Sequence, residues 1–438
     1  MMQISSPHPE SAKTALSNST TRLVVLICWL AILADGYDLG IYGAILPTLL
    51  EDQNWALSQT QAGTIASYAL FGMFIGAILV GTITDYIGRK WTLVFCLSLF
   101  SLTMGLAAIA SSPELFGFFR FIGGIGLGGV IPTASALTIE YSPEKRQSFI
   151  YALMFTGYPL GIVLGAILSI FMLQDFGWRT MFGIGMIPLL LVPIIIRYLP
   201  ESIQFLLSRS RQEEATRVSG RFQIQLPQKQ IYKPSSKEKQ QGGYFVLFSK
   251  QYVRATLLFW LTYIMGMFLI YGLNTWLPQM MRKAGYPLGS SLSFLLMLNI
   301  TAAIGALFAG AIADRIGAKI IISFSYLMAA ICIGLLTIQT STTMIYILIG
   351  IAGIGSVGIT QILNAYVTQY FPSRIRATAL GWGLGLGRIG AIAAPIIIGI
   401  FMTLQYNQVW NFYVFAFAGL IAAISVFFIP NQTSNHDK

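Results

Sequence analysis

The chain has 438 residues, of which 55% are hydrophobic and only 10% are charged. An average soluble domain carries about 25% charged residues, and the mean hydropathy here is +0.70. These values exclude an ordinary soluble globular protein and indicate a chain that crosses a membrane many times.

About twelve apolar runs are long enough to cross a bilayer, because a hydrocarbon layer about 30 Å thick needs roughly 20 helical residues. A backbone in lipid must satisfy its own hydrogen bonds, so we expect each run to be a helix. The predicted spans are 23–48, 61–83, 92–110, 115–138, 149–172, 180–199, 254–277, 290–312, 319–338, 343–367, 376–401 and 410–429. The predicted fold class is an all-α membrane protein with twelve transmembrane helices.

The first run, from Leu23 to Leu50, contains only two charged residues, Asp35 and Asp38. At about 1.5 Å per residue, Asp35 lies roughly 18 Å into the hydrocarbon layer. A carboxylate there costs at least ~2.5 kcal/mol unless it faces a cavity, has a partner or binds a proton. The i, i+3 spacing places both carboxylates on one helix face. We interpret the pair as proton-coupling candidates; the alternative is a hydrogen bond that only holds helices together.

The chain divides into two six-span halves around one long polar connection. We predict a cytoplasmic N-terminal tail at 1–22, a bundle at 23–199, a linker at 200–252, a second bundle at 253–429 and a cytoplasmic C-terminal tail at 430–438. Within the linker, 202–217 is compatible with a surface helix and 225–243 with a flexible segment.

The two halves repeat at an offset of 229 residues. GTITDYIGRK, which begins at Gly81, recurs as GAIADRIGAK from Gly310. The same offset carries the glycines at 124, 126 and 129 onto those at 353, 355 and 358. Parallel repeats of this kind place a substrate site at their interface near the bilayer midplane, with the halves rocking around it.

The formal net charge of +11 reflects membrane topology. Of the 27 lysines and arginines, Arg120 and Arg388 fall inside spans, and Arg179, Arg282 and Lys283 lie in connections on one side. All the others lie on the side that carries both termini, which is the distribution of the positive-inside rule with cytoplasmic termini. Nucleic acid is therefore not expected as a partner.

GTITDYIGRK resembles the loop 2–3 signature of the major facilitator superfamily, with Tyr86 where an arginine is usual. Within that superfamily, DGYD at 35–38, RFIGGIGLGGVIPTASALTIEYSP at 120–143 and RATALGWGLGLGRIGAIAAP at 376–395 resemble the aromatic acid:proton symporters. YLPESIQFL at 198–206 is similar to the ending of span six in sugar and organic-ion porters. DGYDLGIYG is more similar to the benzoate branch than to the hydroxybenzoate branch. The resemblance implies the major facilitator fold and a role for both aspartates in transport.

Two arginines inside spans are the main substrate-binding candidates. Arg388, among glycines and alanines in span eleven, needs an anion, and a carboxylate is its best partner. The alternative for Arg388 is a permanent ion pair with an aspartate. Arg120, near the outer end of span four, has three interpretations: substrate contact, structural or gating pairing, or snorkelling to the interface.

Polar and aromatic side chains at midspan complete the predicted substrate site, because an aromatic ring would stack on Tyr or Trp and be fixed by a few amides. The other substrate-binding candidates are Tyr42, Tyr271, Asn274, Gln361, Asn364 and Trp382.

The loop motif provides the candidates for gating. Gly81 and Gly88 permit a close approach and a turn, and the resemblance implies a cytoplasmic latch that breaks and re-forms as the halves rock. A simple topology anchor of basic residues is the alternative interpretation. The predicted gating residues are Gly81, Asp85, Gly88, Arg89, Lys90, Glu140, Asp314 and Arg315.

Other chemistries find no support in the sequence. GGIGLGG at 123–129 follows no strand and lies inside a span, so we interpret it as close helix packing and not as a dinucleotide site. No metal motif, P-loop or nucleophile–base pair occurs, which disfavours an enzyme or an ATP-driven pump. No cofactor is expected.

We therefore predict a proton-driven symporter of the bacterial inner membrane that imports a small aromatic carboxylate, benzoate first, and works as a monomer in the lipid bilayer. The alternatives are a porter for 4-hydroxybenzoate, muconate, shikimate or nicotinate, a drug exporter, or a chemoreceptor for aromatic acids.

Overall fold

The computed structural model describes residues 18–143, 146–222, 246–338, 340–404 and 407–430, and all regular secondary structure in these residues is helical. The first half contains α1 (Asn18–Glu51), α2 (Gln59–Ile87), α3 (Arg89–Ala108), α4 (Pro113–Glu140), α5 (Gln147–Phe155), α6 (Gly157–Ile184), a 3₁₀ turn (Ile187–Leu190) and α7 (Leu191–Tyr198). The second half contains α10 (Val253–Lys283), α11 (Leu288–Ile316), α12 (Ala318–Leu335), α13 (Thr342–Gly353), a π-helix (Ile354–Gly358), α14 (Thr360–Tyr370), α15 (Ser373–Thr403) and α16 (Val409–Phe427).

Between the halves, the segment 202–217, for which the sequence suggested one surface helix, forms two short helices instead. They are α8 (Ile203–Ser208) and α9 (Gln212–Phe222). The backbone N–H of Arg211 donates a hydrogen bond to the backbone carbonyl of Leu206, and this bond closes the turn between the two helices. The segment 225–243, predicted as flexible, lies outside the described residues.

Eleven helical segments of the described chain are long and apolar enough to cross a membrane. One of them, Phe149–Tyr198, has 50 residues and would extend about 75 Å as a single helix. It reverses at Gly177, whose φ of 73° and ψ of 170° are not helical. Just after the reversal, Trp178 donates to Asp52 at one end of the bundle, whereas the last turn of α7 contacts the start of α3 at the other. The segment makes two passes, which gives the predicted total of twelve.

We call the end of the bundle near residues 199–203 the linker end, and the end near residues 51–59 the far end. Gly88 and Gly317, which the 229-residue offset relates, both break the chain at the linker end with positive φ values of 93° and 103°. Residues with a Cβ rarely adopt such values. The internal repeat of the sequence is therefore also a repeat of backbone conformation.

Close helix packing explains the glycines of α4. Gly124 and Gly128 lie directly against the backbone carbonyls of Ala69 and Met73 on α2, with no room for a Cβ atom. Small residues of this kind let membrane helices approach until their backbones touch. The interpretation of GGIGLGG as a packing surface is confirmed.

The two halves meet along α1 with α10, α2 with α15, and α6 with α11. At the far end this contact is hydrogen-bonded: Thr60 Oγ1 and Thr403 Oγ1 are 2.8 Å apart, and Ser67 Oγ donates to a backbone carbonyl of α15 over 2.7 Å. An ion pair between Arg282 and Glu51, 2.6 Å long, joins the same two halves at the surface. The far end is therefore closed in this structure.

Large apolar side chains cover the outer faces of the spans. Phe171, Phe308 and Phe417 are 74%, 66% and 64% exposed. Contiguous apolar surface of this extent is a liability in water and the normal condition of a helix in lipid. The chain is a multi-pass membrane protein.

Candidate functional site

Both predicted aspartates lie in the middle of α1 and are almost fully buried, with 2% exposure for Asp35 and 4% for Asp38. They line one small cavity together with Tyr158, Thr275 and apolar side chains of α2. Its volume is about 10 Å³, which is about the minimum for one water molecule. An aromatic acid therefore does not fit while the bundle is in this closed arrangement.

Asp38 forms a buried ion pair with Arg120 of α4, and each side chain is only 5% exposed. The guanidinium carbon of Arg120 also lies 5.1 Å from the ring centroid of Tyr42 and 5.6 Å from that of Phe182. These contacts agree with the pairing interpretation of Arg120. Snorkelling is wrong, because the guanidinium is enclosed by a carboxylate and two aromatic rings.

Asp35 differs from Asp38 in having a free acceptor. Within the described residues, its Oδ2 atom is buried and has no hydrogen-bond partner. Asp35 interacts electrostatically with Arg388, which belongs to the second half. A buried carboxylate oxygen without a donor is costly and is well suited to accept a proton.

Arg388 approaches this region from α15 of the second half. Its Nη1 donates to the hydroxyl of Tyr271 over 3.2 Å, and Tyr158 of the first half donates to the same hydroxyl over 3.4 Å. Among the described residues, Arg388 has no carboxylate within ion-pair distance. The alternative of a permanent Arg388–aspartate ion pair is therefore not what the structure shows.

Two asparagines connect α10 with α11. The amide Oδ1 of Asn274 accepts from Asn299 Nδ2 over 2.9 Å, and both side chains are fully buried. Asn299 Oδ1 has no partner within the described residues. Asn299 was absent from the predicted set because an asparagine inside a long apolar run gives no signal of its partner.

The remaining predicted substrate residues are dispersed. The Tyr42 hydroxyl donates to the backbone carbonyl of Ala62 over 2.6 Å, and Asn364 accepts from Tyr263 over 2.7 Å. Gln361 is exposed on α14. Their roles in substrate binding stay predictions.

Trp382 lies outside the group around Arg388. It is 46% exposed and stacks on Trp260. Six residues of α-helix turn its direction by about 120° from that of Arg388. The two side chains therefore point to different faces of α15.

At the linker end, three predicted gating residues meet two residues of the segment that follows α7. The Arg89 guanidinium pairs with Glu140 of α4 and donates to Ser202 over 2.7 Å. The backbone N–H groups of Arg89 and Lys90 both donate to Glu201 Oε1, over 2.9 and 3.0 Å. We call this set, Arg89, Lys90, Glu140, Glu201 and Ser202, the linker-end latch.

Gly88 permits the latch, because its backbone has positive φ and lies against the Glu201 carboxylate. Gly81 makes no such close approach: it is exposed, and a Cβ there would meet nothing within 4 Å. The expectation of a tight contact at Gly81 is therefore wrong. The side chains of Asp85 and Asp314 lie outside the described part of the structure, and Arg315 is exposed.

Burial raises the pKa of the Glu201 carboxyl above its ordinary value, and the backbone donors partly oppose this. A carboxyl with a higher pKa in the closed latch than in water stabilises the latch at low pH, and this contribution is lost as the pH rises through the raised pKa. The segment YLPESIQFL, noted for its resemblance, contained Glu201 and Ser202, but neither was selected as a site residue.

Glu201→Ala is expected to speed amide hydrogen exchange at residues 88–92 about tenfold or more, because a hydrogen bond to a charged group contributes ~1.5–3 kcal/mol. Exchange mass spectrometry on the protein in nanodiscs measures this. Glu213→Ala, on an exposed face of α9, is the matched control and should leave the segment unchanged. Unchanged exchange in both variants would show that Glu201 does not close the latch.

Comparison with known proteins gives a consistent picture. The model of the Major Facilitator Superfamily matches residues 28–306 and 295–438. The benzoate transport protein of Acinetobacter baylyi is 37% identical over 93% of this chain and 89% of its own length. The gentisate transporter of Corynebacterium glutamicum is 34% identical over 94% and 88%, and a 4-hydroxybenzoate transporter of A. baylyi is 31% identical over 92% and 90%.

Solved structures agree on the fold. A partially occluded inward-open structure of the xylose transporter XylE from E. coli superposes with a TM-score of 0.75 at 19% identity, covering 95% of this chain and all of that one. The nucleoside transporter NupG superposes with a TM-score of 0.72 at 14% identity over 94% and 99%. The predicted twelve-helix fold is confirmed, and these relatives and structural neighbours are transporters, not enzymes.

Proposed function

Because this chain belongs to the major facilitator superfamily and aligns over most of its length with aromatic acid transporters, we propose that it carries a small aromatic carboxylate across the membrane together with a proton. Benzoate is the first candidate, since the benzoate transport protein shares 37% identity. The gentisate and 4-hydroxybenzoate transporters make hydroxylated benzoates the second candidates.

The observation that carries the proposal is Arg388. Its guanidinium is partly buried and has a phenol as partner, and a guanidinium shielded from water is best matched by a bidentate carboxylate. A carboxylate arriving between the halves supplies that anion, and its aromatic ring adds the apolar surface that a midplane cavity favours.

The two aspartates support the proton coupling that we propose. We assign the proton to Asp35, because its Oδ2 atom is a free acceptor whereas Asp38 is held by Arg120. Binding a proton and a carboxylate together neutralises buried charge, which lowers the cost of rocking the halves from one open state to the other.

The basic residues near the linker end support a cytoplasmic linker and cytoplasmic termini. We place the protein in the bacterial inner membrane as a functional monomer in the lipid bilayer, since each twelve-helix bundle encloses its own interface. The proton gradient supplies the energy, and the transport cycle uses no cofactor.

Uptake of radiolabelled benzoate into proteoliposomes with an imposed inward proton gradient tests the proposal. We expect accumulation that depends on the gradient, is blocked best by unlabelled benzoate, and is lost in Asp35→Asn. Competition by 4-hydroxybenzoate, gentisate, muconate, shikimate and nicotinate in the same assay ranks the substrates. Strong uptake of a competitor without benzoate uptake would change the substrate, and no gradient-dependent uptake of any acid would overturn the function.

Alternating access predicts that locking the far end stops transport. In Thr60→Cys/Thr403→Cys, the two sulfur atoms replace hydroxyls that are 2.8 Å apart, which suits a disulfide of about 2.05 Å. We expect oxidation to reduce uptake at least about tenfold and a reductant to restore it. The native Cys28, Cys96 and Cys332 are buried, so they serve as an unchanged background.

Each single cysteine variant is the control for the paired one, because oxidation cannot join its two halves. Full uptake by the oxidised double variant, with the cross-link verified by mass spectrometry, would show that the far end does not open during transport.

A further inference from the structure

Tyr158 was not among the predicted site residues, yet it occupies the junction of the two halves. It is the second residue of α6, and its backbone carbonyl lies directly against Gly36, which leaves no room for a Cβ atom on that glycine. This contact places its side chain beside the two aspartates, with which it lines the small cavity. The side chain is 8% exposed.

The Tyr158 hydroxyl has one proton, one acceptor within hydrogen-bond distance, and a second acceptor, Asp35, along the same cavity. In the structure it donates to the Tyr271 hydroxyl over 3.4 Å, a long bond compared with about 2.7–2.8 Å for a good O–H···O bond. Asp35, which lines the same cavity and interacts electrostatically with Tyr158, has a buried oxygen without a donor in the described residues. The single hydroxyl proton of Tyr158 can therefore be donated to Asp35 of the first half or to Tyr271 of the second half, but not to both.

Tyr271 is the connection to the substrate site. Its oxygen accepts from both Arg388 and Tyr158, so its own proton remains for a third group. A substrate carboxylate bound beside the guanidinium would accept hydrogen bonds from Arg388 and Tyr271 together. The Tyr158 bond fills the remaining acceptor position of Tyr271 and so directs its proton toward the ligand.

We propose that Tyr158 is a positioning residue that couples the proton site of the first half to the carboxylate site of the second, a role that rests on the proposed function. When Asp35 is ionised, the Tyr158 hydroxyl donates its hydrogen bond to Asp35 instead of Tyr271, because a hydrogen bond to a charged acceptor is roughly twice as strong as a neutral one. Tyr271 then loses its orienting donor. When Asp35 is protonated, Tyr158 donates to Tyr271, and the carboxylate site is complete.

The direction of this coupling is that of a symporter, because proton binding raises affinity for the carboxylate. Linkage makes the effect reciprocal, so bound carboxylate also favours the protonated form of Asp35. The titratable and charged groups that face Asp35 are those of its own helix and of the helices packed around it: Asp38 and Tyr42 on α1, Arg120 on α4, Tyr158 on α6, Tyr271 on α10 and Arg388 on α15.

The test is the pH dependence of benzoate binding to the full chain in nanodiscs, measured with radiolabelled benzoate at about pH 6 and about pH 8. For the wild type we expect binding about tenfold tighter at the lower pH, within the usual range of coupling between two sites. In Tyr158→Phe, which keeps the ring, we expect the ratio of the two Kd values to fall below about threefold. The remaining ratio reflects direct repulsion between ionised Asp35 and the carboxylate.

Tyr37→Phe is the matched control. It also removes a buried phenol hydrogen bond, 2.7 Å long to the backbone carbonyl of Met181, but this bond lies within the first half and does not join the two halves. The control should keep the wild-type ratio. A wild-type ratio in Tyr158→Phe, or an equal loss in both variants, would overturn the role of Tyr158.

A second variant tests the proposal if Tyr158→Phe does not fold. If Tyr158→Phe is not monodisperse, 3-fluorotyrosine at position 158 keeps the hydroxyl and makes it a stronger donor, so the ratio should increase; an unchanged ratio would overturn the role. Failure of the proposed function is distinguishable, because the wild type itself would then bind no benzoate and accumulate none of the tested acids.

Discussion

Arg388→Met is expected to weaken benzoate binding about 30-fold or more, because truncating one partner of a hydrogen-bonded charge pair shielded from water costs ~2–5 kcal/mol. Methionine fills similar volume and removes the guanidinium, so the substrate carboxylate would enter the bundle without its counter-ion. Binding of radiolabelled benzoate to the protein in nanodiscs measures the loss. Gradient-driven uptake should disappear with it.

Arg388→Lys refines this expectation. Lysine keeps the charge but offers a single point donor in place of the planar fork that matches a carboxylate. Binding should therefore be intermediate between the wild type and Arg388→Met. The matched control is Arg179→Met at the far end, whose guanidinium donates to the backbone carbonyls of Ala108 and Ala110. Wild-type affinity in Arg388→Met would place the carboxylate elsewhere.

Much of the fold could be predicted from the sequence because membrane helices carry a strong local signal. Length and apolarity located the spans, and the 229-residue offset identified the halves. Gly88 and Gly317 show why this worked, since equivalent glycines supply the same positive φ in both halves. The reversal at Gly177 was anticipated only as the gap between two apolar runs. The two short linker helices needed the structure, because a polar segment without periodicity does not define its turn.

The candidate site was predicted in its charged residues but not in its pairings. Burying Asp35, Asp38, Arg120 and Arg388 in an apolar layer is costly, and this cost alone marks them as functional. Which aspartate meets which arginine depends on the rotation of helices that are far apart in sequence: Asp38 and Arg120 are 82 residues apart. Tyr158 gave no signal because a tyrosine in a membrane span is usually part of the packing.

Asp38→Asn is expected to lower the thermal midpoint of the protein strongly, because it leaves the Arg120 guanidinium buried without its carboxylate. Removing one partner of a buried ion pair costs about 3–5 kcal/mol, and both side chains here are only 5% exposed. Asp35→Asn is the matched comparison three residues away. It should change the midpoint little, since Asp35 Oδ2 has no donor to lose in the described residues. The midpoints can be read from fluorescence scans of the purified variants.

Asp38→Asn/Arg120→Met separates stability from transport. Replacing both members of a buried ion pair with uncharged residues is often neutral or stabilising by about 1–4 kcal/mol, so the double variant should recover the midpoint that Asp38→Asn loses. Gradient-driven benzoate accumulation should not return, because the cavity would have lost one of its paired carboxylates and the cation that holds it. Recovered stability with recovered accumulation would make this ion pair a purely structural contact between α1 and α4. Unrecovered stability would mean that Arg120 is held mainly by the Tyr42 and Phe182 rings rather than by Asp38.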